Sequence, residues 1–313
     1  MGKLAFIFPG QGSQYVGMGK ELFQTSSGSS LKETAREVLG SKFITIMEEG
    51  PEAELQQTAW TQPAILLVSV GAWLHLREAG IEPDYVAGHS LGEYSAHVAA
   101  GSLGLPEALR VVRKRGELMQ EAVPTGGGMA AILGLSVDQV EEACHRAEER
   151  GVVAPANYNC PGQVVISGEA LAVAYAIEIA KKMGAKRAIS LAVSGPFHSR
   201  LMEKVGAELQ PILEGVSWTT PRCPVIANID AVEVVTPERT VRTLVEQVSG
   251  AVRWEQSVRH LLDLGVDTFV ECGPGKVLTG LVKKIAPGVN LLHVEDIASL
   301  KKSLAYLKES RIK

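Results

Sequence analysis

Five residues, Gly88-His89-Ser90-Leu91-Gly92, limit the fold of this chain more than any others. They follow the apolar run Tyr85-Val86-Ala87 and precede a helix-like run from Glu93 to Ala100. A Gly-x-Ser-x-Gly in that context reads as a strand, a sharp turn and a helix, with the serine lifted clear of the sheet. Glycines suit both flanks because a Cβ would obstruct the close approach of strand and helix. A serine hydroxyl is a weak nucleophile until it is held exposed beside a base. Ser90 is therefore the candidate nucleophile, and the turn aims the backbone N–H of Leu91 at a developing oxyanion. A Gly-rich strand-to-helix turn without chemistry would look the same, so the rest of the chain has to supply partners.

Strands and helices alternate around this turn. Residues 4–8 read as a strand ending in Pro9-Gly10-Gln11-Gly12-Ser13-Gln14. Pro63 and Pro106 each read as the opening of a helix, to about Glu78 and about Glu121, because proline suits the first helical turn. Residues 268–271 read as a strand that Gly273-Pro274-Gly275 turns into a helix through Lys284. The alternation predicts an α/β fold with a mainly parallel sheet.

The middle of the chain differs. Gly126-Gly127-Gly128 reads as a hinge. After it come strand 129–134, helix 137–150, strands 152–158 and 163–167, helix 169–183 and strand 186–193. The order βαββαβ is that of a ferredoxin-like unit. The expected layout is a large α/β domain of residues 1–125 and 194–313 carrying a ferredoxin-like inserted subdomain, 126–193. The return segment Ser194-Gly195-Pro196-Phe197-His198 would then lie at the mouth between them, where ligand pockets tend to form.

Composition removes several classes. With 31 Lys and Arg against 35 Asp and Glu the net charge is −4, and no long basic run offers nucleic acid a footprint. The N-terminal apolar stretch is too short for a signal peptide, and the run 64–74 is too short and interrupted for a membrane span. Cys144, Cys160, Cys223 and Cys272 are far apart and lack metal or redox spacing, so reduced thiols and a cytoplasmic location are expected.

Seven histidines could serve Ser90 as a base. His75, His145 and His260 fall in amphipathic helical patterns and read as surface or rim residues, and His293 lies on a terminal strand. His97, two turns past Ser90, faces either the cleft or the core, and His89 points away as a neighbour on a sharp turn. His198 alone sits on a Gly-Pro turn at a domain boundary and is the candidate base.

Six ordered motifs widen the picture: Gly10-Gln11-Gly12-Ser13-Gln14, Gly88 to Glu93, Arg113-Lys114-Arg115-Gly116, Asn157 to Gln163, Gly195 to Ser199, and Glu271 to Gly275. Together they resemble the malonyl-CoA:acyl carrier protein transacylases, from Met1 to about Asp296. The resemblance implies a hydrolase-like α/β core with the ferredoxin-like insertion, and transfer of malonyl from malonyl-CoA to a holo acyl carrier protein in fatty-acid synthesis. It implies that Ser90 carries the malonyl group, that His198 is its base, and that the amides of Gln11 and Leu91 form the oxyanion hole. Arg115 would pair with the malonyl carboxylate, and the main-chain carbonyl of Gln247 would orient the histidine in place of an acid. The Gly273-Pro274-Gly275 loop and Asn159 are expected near the mouth. No cofactor and no metal are implied, and a monomer is. Phe197 fits the malonyl-selective relatives, while Ala251 and Cys272 depart from the pattern away from the chemistry.

Two rivals remain at this level. A serine carboxylesterase or thioesterase of the α/β-hydrolase class would want an acid and then a late histidine, yet 115 residues follow His198. A non-catalytic carrier-binding scaffold would have no need of both Ser90 and His198. An acidic carrier could be steered by basic residues, for which Arg187, Arg200, Lys204, Lys276, Lys283 and Lys284 are the candidates.

Overall fold

The computed structural model describes residues 2–123, 125–191 and 195–312. The strands are β1 (Lys3–Phe8), β2 (Tyr85–Gly88), β3 (Gly127–Leu133), β4 (Val153–Cys160), β5 (Gln163–Glu169), β6 (Arg187–Ser190), β7 (Val225–Ile226), β8 (Glu233–Val234), β9 (Val266–Cys272) and β10 (Asn290–Val294). The helices are α1 (Ser26–Leu39), α2 (Ser41–Glu49), α3 (Glu52–Leu55), α4 (Thr58–Glu78), α5 (Gly92–Ala99), α6 (Leu105–Ala122), α7 (Val137–Ala147), α8 (Ala170–Lys182), α9 (Glu203–Glu214), α10 (Pro237–Ser249), α11 (Trp254–Asp263), α12 (Val277–Ile285) and α13 (Ile297–Ile312).

The fold is mixed α/β. One sheet has the order β10-β9-β1-β2-β7-β8 and is parallel except for β8 at its edge. Both faces of β1 are buried, which is why it reads as an unbroken apolar run. Leu4, Phe6 and Phe8 enter the core shared with α4, α5 and α6, while Ala5 and Ile7 enter the core beneath α11 and α12. The second sheet, β4-β5-β3-β6, is antiparallel and packs on α7 and α8. The two are joined through the segment before α11, where Tyr158 N donates to Val252 O at 2.9 Å and Val252 N to Ala156 O at 2.8 Å.

Three local expectations are corrected. Helix α4 starts at Thr58 rather than Pro63, which sits inside it. A proline there strips the carbonyl four residues back of its helical donor. That carbonyl, Ala59 O, instead accepts Arg113 Nη1 at 3.1 Å, so the helix continues through the proline. Secondly, α4 is buried along most of its length, so His75 is 6% exposed, with Nε2 3.0 Å from the Leu22 carbonyl, and is not on the surface. Thirdly, Gly127 and Gly128 are not hinge residues but open β3, opposite Glu169 and Gly168. The strand expected over 186–193 is β6, Arg187–Ser190; residues 192–194, including the expected boundary at 194, lie outside the described residues. Helix α1, for which the sequence pattern gave no assignment, is capped by Thr25, whose Oγ1 accepts Gly28 N at 3.1 Å.

The glycines at the Ser90 turn have a steric reason. A Cβ on Gly92 would overlap the Phe8 carbonyl, and one on Gly88 would overlap the Gly92 carbonyl group. Gly92→Ala should lower the free energy of unfolding by about 3 kcal/mol or more. Gly280→Ala in α12, where a Cβ meets nothing within 4 Å, should instead raise it by about 0.4–1 kcal/mol. Urea unfolding of the two variants measures both signs.

Candidate active site

Strands β1 and β2 run side by side with Phe8 opposite Gly88, so the segments leaving them emerge together. They carry Gln11 and Ser90, and the turn after the neighbouring β7 brings in Asn228. The carboxyl ends of parallel strands are where open α/β sheets place ligands.

Ser90 has φ 52°, a left-handed value that a non-glycine residue holds only when its surroundings enforce it. Asn228 is the enforcing residue. Its Oδ1 accepts Ser90 N at 2.6 Å and its Nδ2 donates to Gly88 O at 2.6 Å, pinning the strand end and the turn at once. His198 is also left-handed, with φ 57°.

The Ser90 hydroxyl lies 2.7 Å from His198 Nε2. His198 Nδ1 faces two carbonyl oxygens, Gln247 O at 2.9 Å and Gly250 O at 3.1 Å. Carbonyls only accept, so Nδ1 carries the ring proton and Nε2 offers its lone pair to the serine. Those carbonyls are free because they end helix α10, whose last turn has no helical donors left. Burial, reinforced by the Arg115 charge, pushes the His198 pKa down to about 3, keeping the imidazole neutral.

Arg115 projects from α6 to the floor of the site and is 0% exposed. Its Nη1 donates to Gln62 Oε1 at 2.8 Å, and its Nη2 to Gln247 Oε1 at 3.0 Å and to Ser90 Oγ at 3.2 Å. Burial lowers its pKa from the ordinary value, but an arginine stays charged. The Gln247 side chain is buried rather than solvated: its Nε2 donates to Ser90 O at 3.1 Å and to Glu93 Oε2 at 2.7 Å. Glu93 also accepts Asn228 N at 3.0 Å, and burial raises its pKa to about 7.

Gln11, Leu91, Ser90, His198 and Phe197 line one cavity of ≈ 110 Å³. A second cavity of ≈ 240 Å³ shares Gln11, His89, Asn157 and Leu191 with it and extends past Asn159 to Val277 and Leu281. His89 turns from Ser90, its Nε2 2.9 Å from Asn159 Oδ1. His97 enters the core, with Nδ1 2.9 Å from Ser102 Oγ, and burial takes its pKa to about 3. The Gly273-Pro274-Gly275 turn packs Gly273 against Pro9, while Lys276, Lys283 and Lys284 are exposed.

The structure thus brings Ser90, His198, Arg115, Gln247, Gln11 and Leu91 to one place. Sequence reasoning missed Glu93, Asn228 and Gln62 as parts of the site. Glu93 left a signal, a carboxylate in a short helix whose eight residues are all buried. Asn228, a lone amide after a two-residue strand, left none.

A serine activated by an uncharged histidine, with a cation beneath it, suits transfer of an acyl group. Residues 5–302 match the acyl transferase domain family, and the chain is an acyltransferase of that class. It is 47% identical over 313 residues to the malonyl CoA-acyl carrier protein transacylase of Bacillus subtilis (strain 168), covering 99% of this chain and 98% of the relative. The crystal structure of the acyl-carrier-protein-S-malonyltransferase from Bartonella henselae superposes with a TM-score of 0.95 at 43% identity, covering 98% of this chain and 99% of the other. A malonyl-transacylase solved in complex with its holo type II PKS acyl-carrier protein gives 0.93 at 42% identity, covering 97% and 99%. The chain belongs to the malonyl CoA-acyl carrier protein transacylase family.

The buried histidines fix a pH dependence of stability. His97 and His198 have folded pKa values of about 3 against 6.5 for a free side chain. Between those values the unfolded chain binds more protons, so stability falls as pH drops through the window. Glu93, raised from 4.5 to about 7, acts oppositely, its contribution being lost as pH rises from 4.5 to 7. From pH 6.5 to 4 the His97 contribution should be about 3 kcal/mol. His97→Gln should remove that share of the slope, measured by urea unfolding across the range.

Proposed function

We propose that the chain moves malonyl from malonyl-CoA to the phosphopantetheine thiol of a holo acyl carrier protein through a malonyl ester on Ser90. The observation that carries this reading is Ser90 Oγ placed between His198 Nε2 at 2.7 Å and Arg115 Nη2 at 3.2 Å. His198 takes the serine proton as the oxygen attacks the thioester carbon. The Gln11 and Leu91 amides receive the oxyanion. Collapse breaks the carbon–sulfur bond, and His198 returns the proton to the departing CoA thiolate. The carrier thiol then attacks the ester by the reverse sequence. The Arg115 fork meets the free carboxylate of malonyl, and the carbonyls of Gln247 and Gly250 hold the His198 ring in place of an acid.

The domain reading rests on the second sheet, whose order β4-β5-β3-β6 with α7 and α8 between strands suits a ferredoxin-like insertion at 126–193 in a hydrolase-like core of 1–125 and 194–313. The solved complex of a relative with its carrier supports an acyl carrier protein as acceptor. The proposed reaction needs neither a second copy nor a membrane, and we take the enzyme to be a cytoplasmic monomer. Among the described residues no helix is long and apolar enough to cross a membrane. An esterase would have no use for a cation beneath the nucleophile, which favours an acyl group bearing a carboxylate.

Two variants test this. Ser90→Ala should abolish the malonyl adduct in intact-mass spectra after mixing with malonyl-CoA; an adduct that persists on another residue would rule out Ser90. Arg115→Ala should cut kcat/KM for malonyl-CoA by about a hundredfold or more, since removing one member of a buried ion pair costs about 3–5 kcal/mol. Acetyl-CoA, which has no carboxylate to pair, should lose far less, and Arg115→Lys should recover only part. An unchanged malonyl-to-acetyl ratio in Arg115→Ala would show that the carboxylate is read elsewhere.

A further inference from the structure

Among the described residues, Arg115 is the only lysine or arginine that is fully buried. One buried carboxylate, Glu93, already answers it. The two are linked through the Gln247 amide, which accepts Arg115 Nη2 at 3.0 Å and donates to Glu93 Oε2 at 2.7 Å. The other Glu93 oxygen, Oε1, is buried and has no hydrogen-bond partner among the described residues. An ionised carboxylate with one bare oxygen in the interior is tolerable only while a nearby cation compensates it.

On the reading that Ser90 carries malonyl, loading adds a second carboxylate within reach of the same guanidinium, because Arg115 Nη2 lies 3.2 Å from the acylated oxygen. Among the described residues no further buried cation is at hand. Of the other charged or titratable groups, Asp230, in the turn after β7, adds to the repulsion and is itself paired with Arg239 of α10 at 2.7 Å. Tyr94, next to Glu93 on α5, is held protonated by burial. The groups facing Glu93 from α10 and from the turn after β7 are the uncharged Gln247 and Asn228. His198 bonds to Ser90 and to carbonyls, not to Glu93.

We propose that loading malonyl onto Ser90 draws one proton from solvent onto Glu93, so that the buried guanidinium faces one carboxylate at a time. Acyl transfer by itself is proton-neutral: the serine proton leaves on the CoA thiol, and the new O–H bond at Glu93 is made with a proton from water. Glu93 is a positioning residue in this scheme. It holds Gln247 and Arg115 in the empty enzyme and gives up its charge when the substrate supplies one. The resting carboxyl, with its pKa raised to about 7, is near the point at which a second negative charge tips it.

The experiment is a single turnover in weak buffer, with a pH indicator reading protons and intact mass counting malonyl-enzyme. Proton uptake, corrected for ionisation of the released thiol, should approach about 0.9 per adduct near pH 8 and fall below about 0.1 near pH 5.5, where Glu93 is already protonated. Whatever adduct Glu93→Gln forms, fast or slow, should come without uptake. An acetyl adduct should form without uptake in the native enzyme. The infrared difference spectrum of native malonyl-enzyme should gain a protonated-carboxyl band that does not shift with carbon-13 malonyl. Full adduct with no uptake near pH 8, a pH-independent uptake, or a band that shifts with the label would each overturn the proposal, as would uptake that survives in Glu93→Gln. Absence of any Ser90 adduct would instead sink the reading on which it rests. If Glu93→Gln does not fold, the native pH profile and the labelled spectrum still decide.

Discussion

Burying a guanidinium takes away its hydration, and the protein around Arg115 replaces it at the two terminal nitrogens, while Nε has no hydrogen-bond partner among the described residues. Gln62 from α4, Gln247 from α10 and the Ser90 hydroxyl at the elbow each accept one of its N–H groups. Those three acceptors come from segments far apart in the chain, so the charge can be satisfied only when the sheet, the helices around it and the turn are all in place. Removing the guanidinium would leave the Gln62, Gln247 and Ser90 oxygens without the donor they share, and removing any acceptor would leave a further buried N–H bare.

The same network explains how a strained serine is held. A left-handed Ser90 is unfavourable by itself, and Asn228 offsets that by bonding both its N–H and the Gly88 carbonyl. Glu93 then accepts the backbone N–H of Asn228 and the side-chain amide of Gln247. Gln247 closes the circuit, for its side chain reaches Arg115 and its carbonyl reaches His198. The histidine therefore needs no carboxylate to fix its tautomer. Two helix-end carbonyls already do so, and although their hydrogen bonds favour the protonated ring, burial outweighs them and keeps it neutral.

Much of the fold was legible because its signals are local. A tight turn with two obligatory glycines, apolar runs of strand length and prolines in first turns all act over a few residues. The same local rules failed at Pro63, where an arginine 50 positions later supplies the missing donor to Ala59. They failed at His75 because amphipathic spacing says nothing of how many elements cover a helix, and α4 is covered nearly all round. Two-residue strands such as β7 carry too few side chains to leave a pattern.

By itself the sequence determined the strand–turn–helix that presents Ser90, the alternation that makes the sheet mainly parallel, and His198 as the residue most worth placing beside the serine. It also carried enough ordered motifs to indicate the family. Only the tertiary structure decided that the Gln247 side chain is buried, that Asn228 clamps the elbow, and that Glu93 and Arg115 share one interior. The physical reason is that hydrogen bonds and charge compensation in a low-dielectric interior depend on distances between segments more than a hundred residues apart, such as the 157 separating Gln247 from Ser90. Spacing along the chain holds no record of such distances, whereas a turn or a strand is written in consecutive residues.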